Sequence, residues 1–540
     1  MSNETKLKEA LVSFFAKEGL SLKEEDIVIE RSRDPLHGDY STNAAMKFCK
    51  KVGTNPRDLA NKIASSLQLD ELEKIEVAGP GFVNFFMKKD ALRAIVSKIL
   101  KEDESYGRLA RNGEKINIEY VSANPTGDLH LGHTRIAAIG DAIANLLDYA
   151  GYEVTREYYV NDCGNQVEHL GHSIRARYHE LFGEPLDLGD DDYHGLDLIE
   201  IAKSIKEKYG DKYLLDSKEA HDFFIRYGID FELNKIKNDL AAFRVKFDKF
   251  SYESDIRKGN TIENTIKELS PYIYEKDGAK YLKTSAFLDD KDRPIVKSNG
   301  QYTYFMPDIC YHYDKMSRGF DLLIDVLGAD HHGYINRMKS ALMMKGYSSS
   351  ALEVELVQVV KVFKDGEEVK MSKRTGKAIA HRELVGECGV DAVRYLFVER
   401  SQSSHLDFNY NLAKEQSSAN PVFYAQYAHA RCSSLLNLGS DIALDEKCEG
   451  LNSQIESSIL KLLSDFPIQI QAAAKERAPY KMALYIHNLA GLVHEYYAST
   501  RIIDRENVPL TSARLALIKA CEIVLRNALS LIGVSAPTKM

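Results

Sequence analysis

One loop, with a predicted strand before it and a predicted helix after it, constrains the fold of this chain more than any other feature. Lys115 to Val121 alternates apolar and polar residues, as a half-buried strand does. The loop reads PTGDLHLGH, from Pro125 to His133, and apolar residues then recur at helical spacing as far as Tyr149. Further predicted strands follow at residues 152–160 and near 321–328. This alternation predicts an α/β fold with a doubly wound parallel sheet.

The same loop is suited to holding a phosphate. A helix N-terminus carries unpaired amides and a partial positive charge, which favour an anion. Gly127 and Gly132 would let a nucleotide come close, while His130 and His133 could donate hydrogen bonds to it. The alternative is a pair of histidines satisfied inside an ordinary loop, which we disfavour because this composition rarely produces a His-x-Gly-His string at such a junction.

A second segment, KMSKRTGK from Lys370 to Lys377, is strongly basic. It follows an apolar, β-branched run at residues 355–363, and Asp365-Gly366 predicts a two-residue hairpin turn between the two. By itself such a segment predicts a solvated face. Together with the histidine loop it favours a phosphate-binding role.

The length predicts about three domains. Residues 1–110 have the pattern of a small α+β module, and residues 111–380 that of the α/β domain. A stretch rich in charged helical sequence, at about 165–299, interrupts the second. Residues 381–540 carry long amphipathic patterns and predict an all-helical bundle.

The composition limits the compartment in which we expect the protein and the partners that we expect it to bind. The seven cysteines include no C-x-x-C pair, which predicts free thiols in a reducing cytoplasm and no zinc ribbon. No apolar run is long enough to span a bilayer and the N-terminus lacks a signal-peptide pattern, so we expect no membrane partner. The net charge of -9 argues against nucleic acid unless basic residues cluster on one face.

The histidine loop and the basic segment resemble the two signatures of class I aminoacyl-tRNA synthetases, and other strings narrow the resemblance to the arginyl-tRNA synthetase family. It covers essentially the whole chain. The further strings are GDYSTN (38–43), IEYVSANPTG (118–127), YYVNDCGNQ (158–166), GADHHG (328–333), NPVFYAQYAHAR (420–431) and GVSAPTKM (533–540). One departure is Arg374, at a signature position that is often Ser, and it leaves the role of that side chain open.

The resemblance implies a fold and an activity. The fold would be a Rossmann-like parallel sheet with a connective insertion, an N-terminal module that binds the tRNA elbow, and a helical anticodon-binding domain. The activity would be activation of L-arginine with ATP to arginyl-adenylate and pyrophosphate, then transfer to the terminal adenosine of tRNA(Arg). Mg²⁺ would accompany ATP through the phosphates, with no dedicated metal site on the protein. Members are commonly monomeric and typically need tRNA for activation.

The chemistry depends on positioning more than on acid–base catalysis. The arginine carboxylate is already ionised at neutral pH, so activation requires no general base. The enzyme must instead stabilise negative charge on the phosphoryl oxygens and on the departing pyrophosphate. We assign His130 and His133 to the phosphates, Gly132 to packing against adenine, and Lys370 and Lys373 to the leaving group.

The resemblance carries over two further sets of ligands. The residues expected at ATP, besides those already named, are Gly127, Gly328, Asp330, His331, Met371 and Ser372. The residues expected at arginine are Glu119, Ser122, Asn124, His133, Tyr304 and Asp308. Asp308 is our choice for the guanidinium, because a carboxylate accepts two parallel hydrogen bonds from that group. Without the resemblance, Glu119 or Asp308 taken alone would be interpreted as a surface carboxylate near the end of a strand.

The expected tRNA contacts lie at the two ends of the chain. Tyr40 and Asn43 belong to the N-terminal string, although Ser41 or Asn43 could equally cap a helix there. Tyr424, Tyr427 and Arg431 fall at i, i+3 and i+7 on one helix face and could stack on unpaired bases. An aromatic stripe at that spacing is otherwise typical of a core.

Two other functions remain as alternatives. The Asp-His-His string at residues 330–332 also occurs in metal-dependent phosphoesterases, but that function needs further clustered aspartates and leaves the lysine segment unexplained. A catalytically silent RNA-binding relative would keep the domains and lose signature residues. Both histidines and both lysines are present here.

Overall fold

The computed structural model describes residues 3–31, 37–369 and 379–540. Its N-terminal part, up to residue 102, is an α+β module, as predicted. The antiparallel sheet of this module has the strand order β1-β2-β4-β3. Its elements are α1 (Asn3–Lys17), β1 (Ile29–Arg31), β2 (Tyr40–Thr42), α2 (Ala44–Val52), α3 (Pro56–Ser66), β3 (Leu72–Ala78), β4 (Phe82–Met87) and α4 (Lys89–Glu102).

The middle of the chain alternates strands and helices from residue 115 to residue 357. Its elements are β5 (Lys115–Tyr120), α5 (Leu131–Tyr149), β6 (Glu153–Val160), α6 (Asn165–Glu180), α7 (Leu196–Tyr209), α8 (Lys218–Ala242), β7 (Lys249–Tyr252), α9 (Glu253–Ile256), α10 (Thr261–Glu268), β8 (Ile273–Lys276), β9 (Ala279–Leu282), β10 (Arg293–Val296), α11 (Phe305–Ser317), β11 (Leu322–Gly328), α12 (Ile335–Met344) and β12 (Leu352–Val357).

Five of these strands form the predicted parallel sheet, in the order β12-β11-β5-β6-β7. The central strand β5 is buried on both faces, as parallel strands covered by helices are. Its neighbours β6 and β11 follow it in register, so the carboxyl ends of all three strands open at one edge. Ligands bind at this edge in doubly wound folds.

The predicted insertion at 165–299 is not one continuous segment. Strand β7 lies inside it and completes the parallel sheet by pairing with β6. Before β7, helices α6, α7 and α8 share an apolar core of their own. After it, β8, β9 and β10 form a small antiparallel sheet. A four-residue strand between two charged stretches gives too short a pattern to separate these pieces by sequence.

The last part of the chain is helical, as predicted, apart from one strand. Strand β15 pairs in parallel with β13, whose hairpin partner is β14. Asp365 and Gly366 form the predicted two-residue turn, both with positive φ. The elements are β13 (Val360–Lys364), β14 (Glu367–Glu368), α13 (His381–Cys388), α14 (Val390–Val398), β15 (Leu406–Asn409), α15 (Tyr410–Lys414), α16 (Pro421–Leu438), α17 (Gln454–Lys475), α18 (Tyr480–Ser499) and α19 (Val508–Leu531). Among the residues described, no helix combines the length and apolarity needed to cross a bilayer.

Candidate active site

A cavity of about 740 Å³ opens at the carboxyl ends of β5, β6 and β11. This volume suits a small-molecule or cofactor site. The predicted residues that line it come from four separate parts of the sequence. They are Glu119, Ser122, Asn124, His130, Gly132, His133, Asp308, Gly328, Asp330 and His331.

Gly127 and Tyr304, which the structure also describes, are not among the lining residues. Tyr304 stands at the start of α11 and is 72% exposed. The helix instead presents Asp308, Tyr311 and His312 to the cavity, one turn further on. The predicted contact of Tyr304 with arginine is therefore not supported by this arrangement.

His130 and His133 occupy the first turn of α5. Their rings stack with centroids 3.7 Å apart. The Nδ1 atom of His130 accepts a hydrogen bond from the Gly132 amide at 3.1 Å, and the Nδ1 atom of His133 accepts one from the His130 amide at 3.4 Å. A neutral imidazole that accepts at Nδ1 carries its proton on Nε2. Each ring thus keeps one N–H available to a ligand.

Both histidines are neutral at physiological pH. Burial lowers the pKa of His130, and burial together with the neighbouring His130 lowers the pKa of His133 to about 3. Gly132 is what allows this close packing, because a Cβ at that position would lie 3.0 Å from Cε1 of His130. The histidine end of the cavity therefore offers neutral donors at a helix N-terminus.

Residues on the far side of the basic segment lie beside the histidines. Ala380 forms an isolated antiparallel bridge with His130. The His381 amide donates to the Leu129 carbonyl oxygen at 2.7 Å, and Nδ1 of His381 lies 3.0 Å from Oγ1 of Thr134. The predicted ligands Lys370, Met371, Ser372 and Lys373, and the divergent Arg374, lie outside the described residues.

The chain turns sharply where β5 ends. Val121 and Ser122 both have left-handed backbone conformations, with φ of 69° and 38°. A β-branched residue rarely adopts this conformation, which marks a strained segment at the cavity. The turn directs Oγ of Ser122 to Oε1 of Glu119, to which it donates a hydrogen bond at 2.9 Å. Oγ of Ser122 also accepts a hydrogen bond from the Tyr159 amide at 3.1 Å.

A buried ionic cluster lies under the opposite end of the cavity. Lys315 is fully buried, with Nζ 2.5 Å from Oε2 of Glu119 and 3.0 Å from Oδ1 of Asp325. Asp325 also lies 2.9 Å from Nε2 of His312 through its other oxygen. Although burial alone would lower it, Asp325 and Glu119 raise the pKa of Lys315. Both oxygens of Glu119 are thus engaged, one by Lys315 and one by Ser122.

Asp308 contrasts with Glu119. Across the described parts of the chain, no hydrogen bond or ion pair to the carboxylate of Asp308 is seen. Burial, opposed by His312 and reinforced by Glu253, Glu119 and Asp325, raises its pKa to about 7. Glu253 itself pairs with Arg257 at 2.5 Å. The acidic end therefore holds one carboxylate that lacks a cation.

Sequence reasoning missed several residues at this end. Tyr159 and Asn161 follow Glu119 across the sheet at the end of β6, and Tyr311, His312 and Asp325 line the cavity from α11 and β11. The string around residues 158–166 had indicated the β6 positions. The others lacked a local signal, because Asp325 falls in a strand and Tyr311 in a helix whose patterns predict only a core.

The two predicted tRNA contacts in the N-terminal string differ in their exposure to solvent. Tyr40 is 1% exposed and lies in the module's core, so direct contact of its ring with RNA is not supported. Strand register causes this, since Tyr40 pairs with Phe85 in the middle of the sheet. Asn43 is exposed and precedes α2 without a side-chain cap, while Thr42 accepts the Ala44 amide instead.

The predicted stripe on α16 is partly exposed and meets α18. The Arg431 guanidinium lies between the rings of Tyr427 and Tyr497, at 4.4 and 4.6 Å. It also lies 2.9 Å from Nδ1 of His494, whose ring contacts Tyr424 at 4.4 Å. The stripe thus forms a surface with α18 instead of a closed core.

The GADHHG string forms a 3-10 turn after β11. Asp330 and His331 are well exposed there. Within the described ranges no group of three or more His, Cys, Asp or Glu side chains is arranged to hold a metal. The clustered aspartates that the phosphoesterase alternative requires are therefore not found in that part of the chain.

Comparisons with known proteins agree along the whole chain. Family models match an arginyl tRNA synthetase N terminal domain at residues 2–87, a class I (R) tRNA synthetase catalytic domain at 95–435 and a DALR anticodon binding domain at 425–540. The arginine–tRNA ligase of Geobacillus kaustophilus is 47% identical, with 99% of this chain and 98% of that protein covered. That of Listeria monocytogenes is 46% identical with the same coverage.

Solved structures give the same likeness. A putative arginyl-tRNA synthetase from Campylobacter jejuni superposes with a TM-score of 0.78 at 34% identity, over 84% of this chain and all of that one. The arginyl-tRNA synthetase of Thermus thermophilus superposes with a TM-score of 0.77 at 22% identity, over both full chains, and supports the fold.

Proposed function

Because this chain belongs to the arginyl-tRNA synthetase family and is an ATP-dependent arginine–tRNA ligase, we propose that its cavity holds ATP at the histidine end and arginine at the Asp308 end. The observation that carries the proposal is the contrast between two carboxylates. Glu119 is already paired with Lys315, whereas Asp308 faces the cavity and pairs with no cation among the described residues.

At the arginine end, the guanidinium pairs with Asp308 through two parallel hydrogen bonds. A cationic side chain would balance that carboxylate, and a planar fork matches it better than an ammonium group. Ser122 and Asn124, at the mouth of β5, hold the amino-acid end of the substrate, close to His133. Glu119 acts by fixing Ser122, since its carboxylate is shared between Ser122 and Lys315.

At the ATP end, the Nε2–H groups of His130 and His133 donate to the phosphates. The nucleotide is contacted by Gly328, Asp330 and His331, joined by Met371 and Ser372. Lys370 and Lys373 stabilise the departing pyrophosphate. The bridge between Ala380 and His130 supports this role, because it anchors the chain next to the histidines soon after the basic segment.

The reaction proceeds in two displacements. An oxygen of the arginine carboxylate attacks the α-phosphorus of ATP, the bond to the β-phosphate oxygen breaks, and pyrophosphate leaves. The hydroxyl of the terminal adenosine of tRNA(Arg) then attacks the arginyl carbonyl carbon, and AMP leaves. The substrate is ATP with Mg²⁺, which favours phosphate oxygens and water over a protein cage.

The tRNA contacts extend to both terminal domains. Asn43 meets the tRNA through the N-terminal module, and Tyr424, Tyr427 and Arg431 meet anticodon-loop bases. The chain acts as a monomer in the cytoplasm. The seven free cysteines suit a reducing compartment.

ATP–pyrophosphate exchange tests the proposal. We expect exchange with arginine and tRNA together, and none with the other amino acids. Exchange driven by a different amino acid would contradict the assignment of Asp308. Absence of exchange with every amino acid would favour the silent RNA-binding alternative.

A further inference from the structure

Helix α8, the last helix before β7, contacts both the loop that leads to His130 and the start of α13. Nζ of Lys235 lies 2.7 Å from Oδ1 of Asp128, two residues before His130. One turn further along, Oδ1 of Asp239 accepts a hydrogen bond from Nε of Arg382 at 2.5 Å. Lys235 and Asp239 stand at i and i+4, so one face of α8 makes both contacts.

The Lys235 contact is partly buried and belongs to a larger group of charges. The Lys235 side chain is 14% exposed. Its ammonium group also lies 3.5 Å from Glu232 on the same helix and 3.9 Å from Asp197 on α7. Asp128 is therefore tied to both helices, which share the apolar core of the helical insertion with α6.

The Asp239 contact belongs to a packed unit around α13. His381, next to Arg382, donates its amide to the Leu129 carbonyl oxygen. Its ring packs edge-on against Phe243, the residue that follows α8, with centroids 4.9 Å apart. The loop before His130, the start of α13 and the end of α8 thus contact one another directly.

We propose that Lys235 and Asp239 are positioning residues for ATP, through which α8 fixes the histidine loop and the start of α13 relative to each other. Neither residue lines the cavity, so each acts through the segment that it holds. The inference rests on the proposed function and adds to it: the placement of the helical insertion sets the geometry of the phosphate site.

The test is ATP–pyrophosphate exchange by Lys235→Met in the full chain, with arginine and tRNA present. A partly exposed ion pair is worth about 1 kcal/mol, so we expect the KM for ATP to rise about fivefold. The KM for arginine should stay at its wild-type value. The melting temperature should fall, because the buried Glu232 loses a neighbouring cation. Lys237→Met is the matched control, because Lys237 lies on α8 over the Phe250 ring at 4.1 Å.

A double-mutant cycle separates positioning from a general structural role. Asp128→Asn should raise the KM for ATP by the same factor as Lys235→Met, and the double variant should raise it no further. Asp239→Asn should act in the same direction, with Asp230→Asn as its control. An unchanged KM for ATP in Lys235→Met, or equal rises for ATP and arginine, would overturn the inference. Lack of exchange by the wild-type protein would count against the proposed function instead.

Discussion

At the histidine end of the cavity, two neutral imidazoles stack at the start of a helix. At the acidic end, a buried lysine is shared between two carboxylates, and a third carboxylate pairs with no cation in the described parts of the chain. The first arrangement suits a ligand that brings its own negative charge. In the second, Glu119 and Asp325 share Lys315, and no cation among the described residues pairs with Asp308, so this end suits a cationic ligand. The two ends thus recognise opposite charges. The histidine end offers N–H donors to an anion, and the acidic end offers a carboxylate to a cation.

The largest expected effect comes from removing the charge of Asp308 at the acidic end of the cavity. Asp308→Asn should lower kcat/KM for arginine by about 10³- to 10⁴-fold, because the guanidinium would lose the carboxylate that pairs with it in the proposed site. The KM for ATP should change little. Steady-state aminoacylation measures both constants, and Asp314→Asn, on the same helix but outside the cavity lining, is the control. A fall below tenfold would mean that another carboxylate holds the guanidinium.

The second prediction concerns the lysine that balances this end. Lys315→Met should destabilise the protein by about 3 to 5 kcal/mol, since Glu119 and Asp325 would be left buried without a cation. Thermal and urea unfolding measure the loss. Lys345→Met, which removes an exposed pair with Glu268, should cost less than about 1 kcal/mol. Similar losses of unfolding free energy in the two variants would show that the buried cluster stabilises the protein no more than an exposed ion pair does.

The third prediction concerns the removal of one imidazole from the histidine end of the cavity. His133→Asn should reduce kcat about 10²- to 10³-fold, as the loss of one donor to a developing negative charge does elsewhere. The melting temperature should stay close to that of the wild type. Single-turnover formation of the adenylate is the measurement, with His172→Asn in the insertion as control. An unchanged rate would exclude a role for this ring in the transition state.

The smallest expected effect distinguishes the two ends by pH. The pKa of Asp308 in the empty cavity is about 7, and arginine binds its ionised form, so protonation competes with binding. The Kd for arginine should therefore rise about tenfold from pH 8 to pH 6. The KM for ATP should show no such change from His133, whose pKa of about 3 keeps it neutral across this range. Calorimetry at three pH values, with exchange kinetics for ATP, decides between the two behaviours.

Local patterns predicted the elements that place the site. The strand from Lys115, the helix ending at Tyr149 and the turn at Asp365-Gly366 were all visible in sequence, because each depends on neighbours a few residues away. The pairing of Lys315 with Glu119 joins residues 196 positions apart, and no local signal marks it. The same holds for Tyr40, whose burial follows from strand register. Family resemblance predicted the site positions, but it gave no sign of which carboxylates are already paired.

The most direct test of this account is a crystal structure with L-arginine and a non-hydrolysable ATP analogue bound together. The account predicts the guanidinium within about 3 Å of both carboxylate oxygens of Asp308. It predicts the phosphates against Nε2 of His130 and His133 in the same cavity. A guanidinium bound to Glu119, or two ligands in separate pockets, would contradict it.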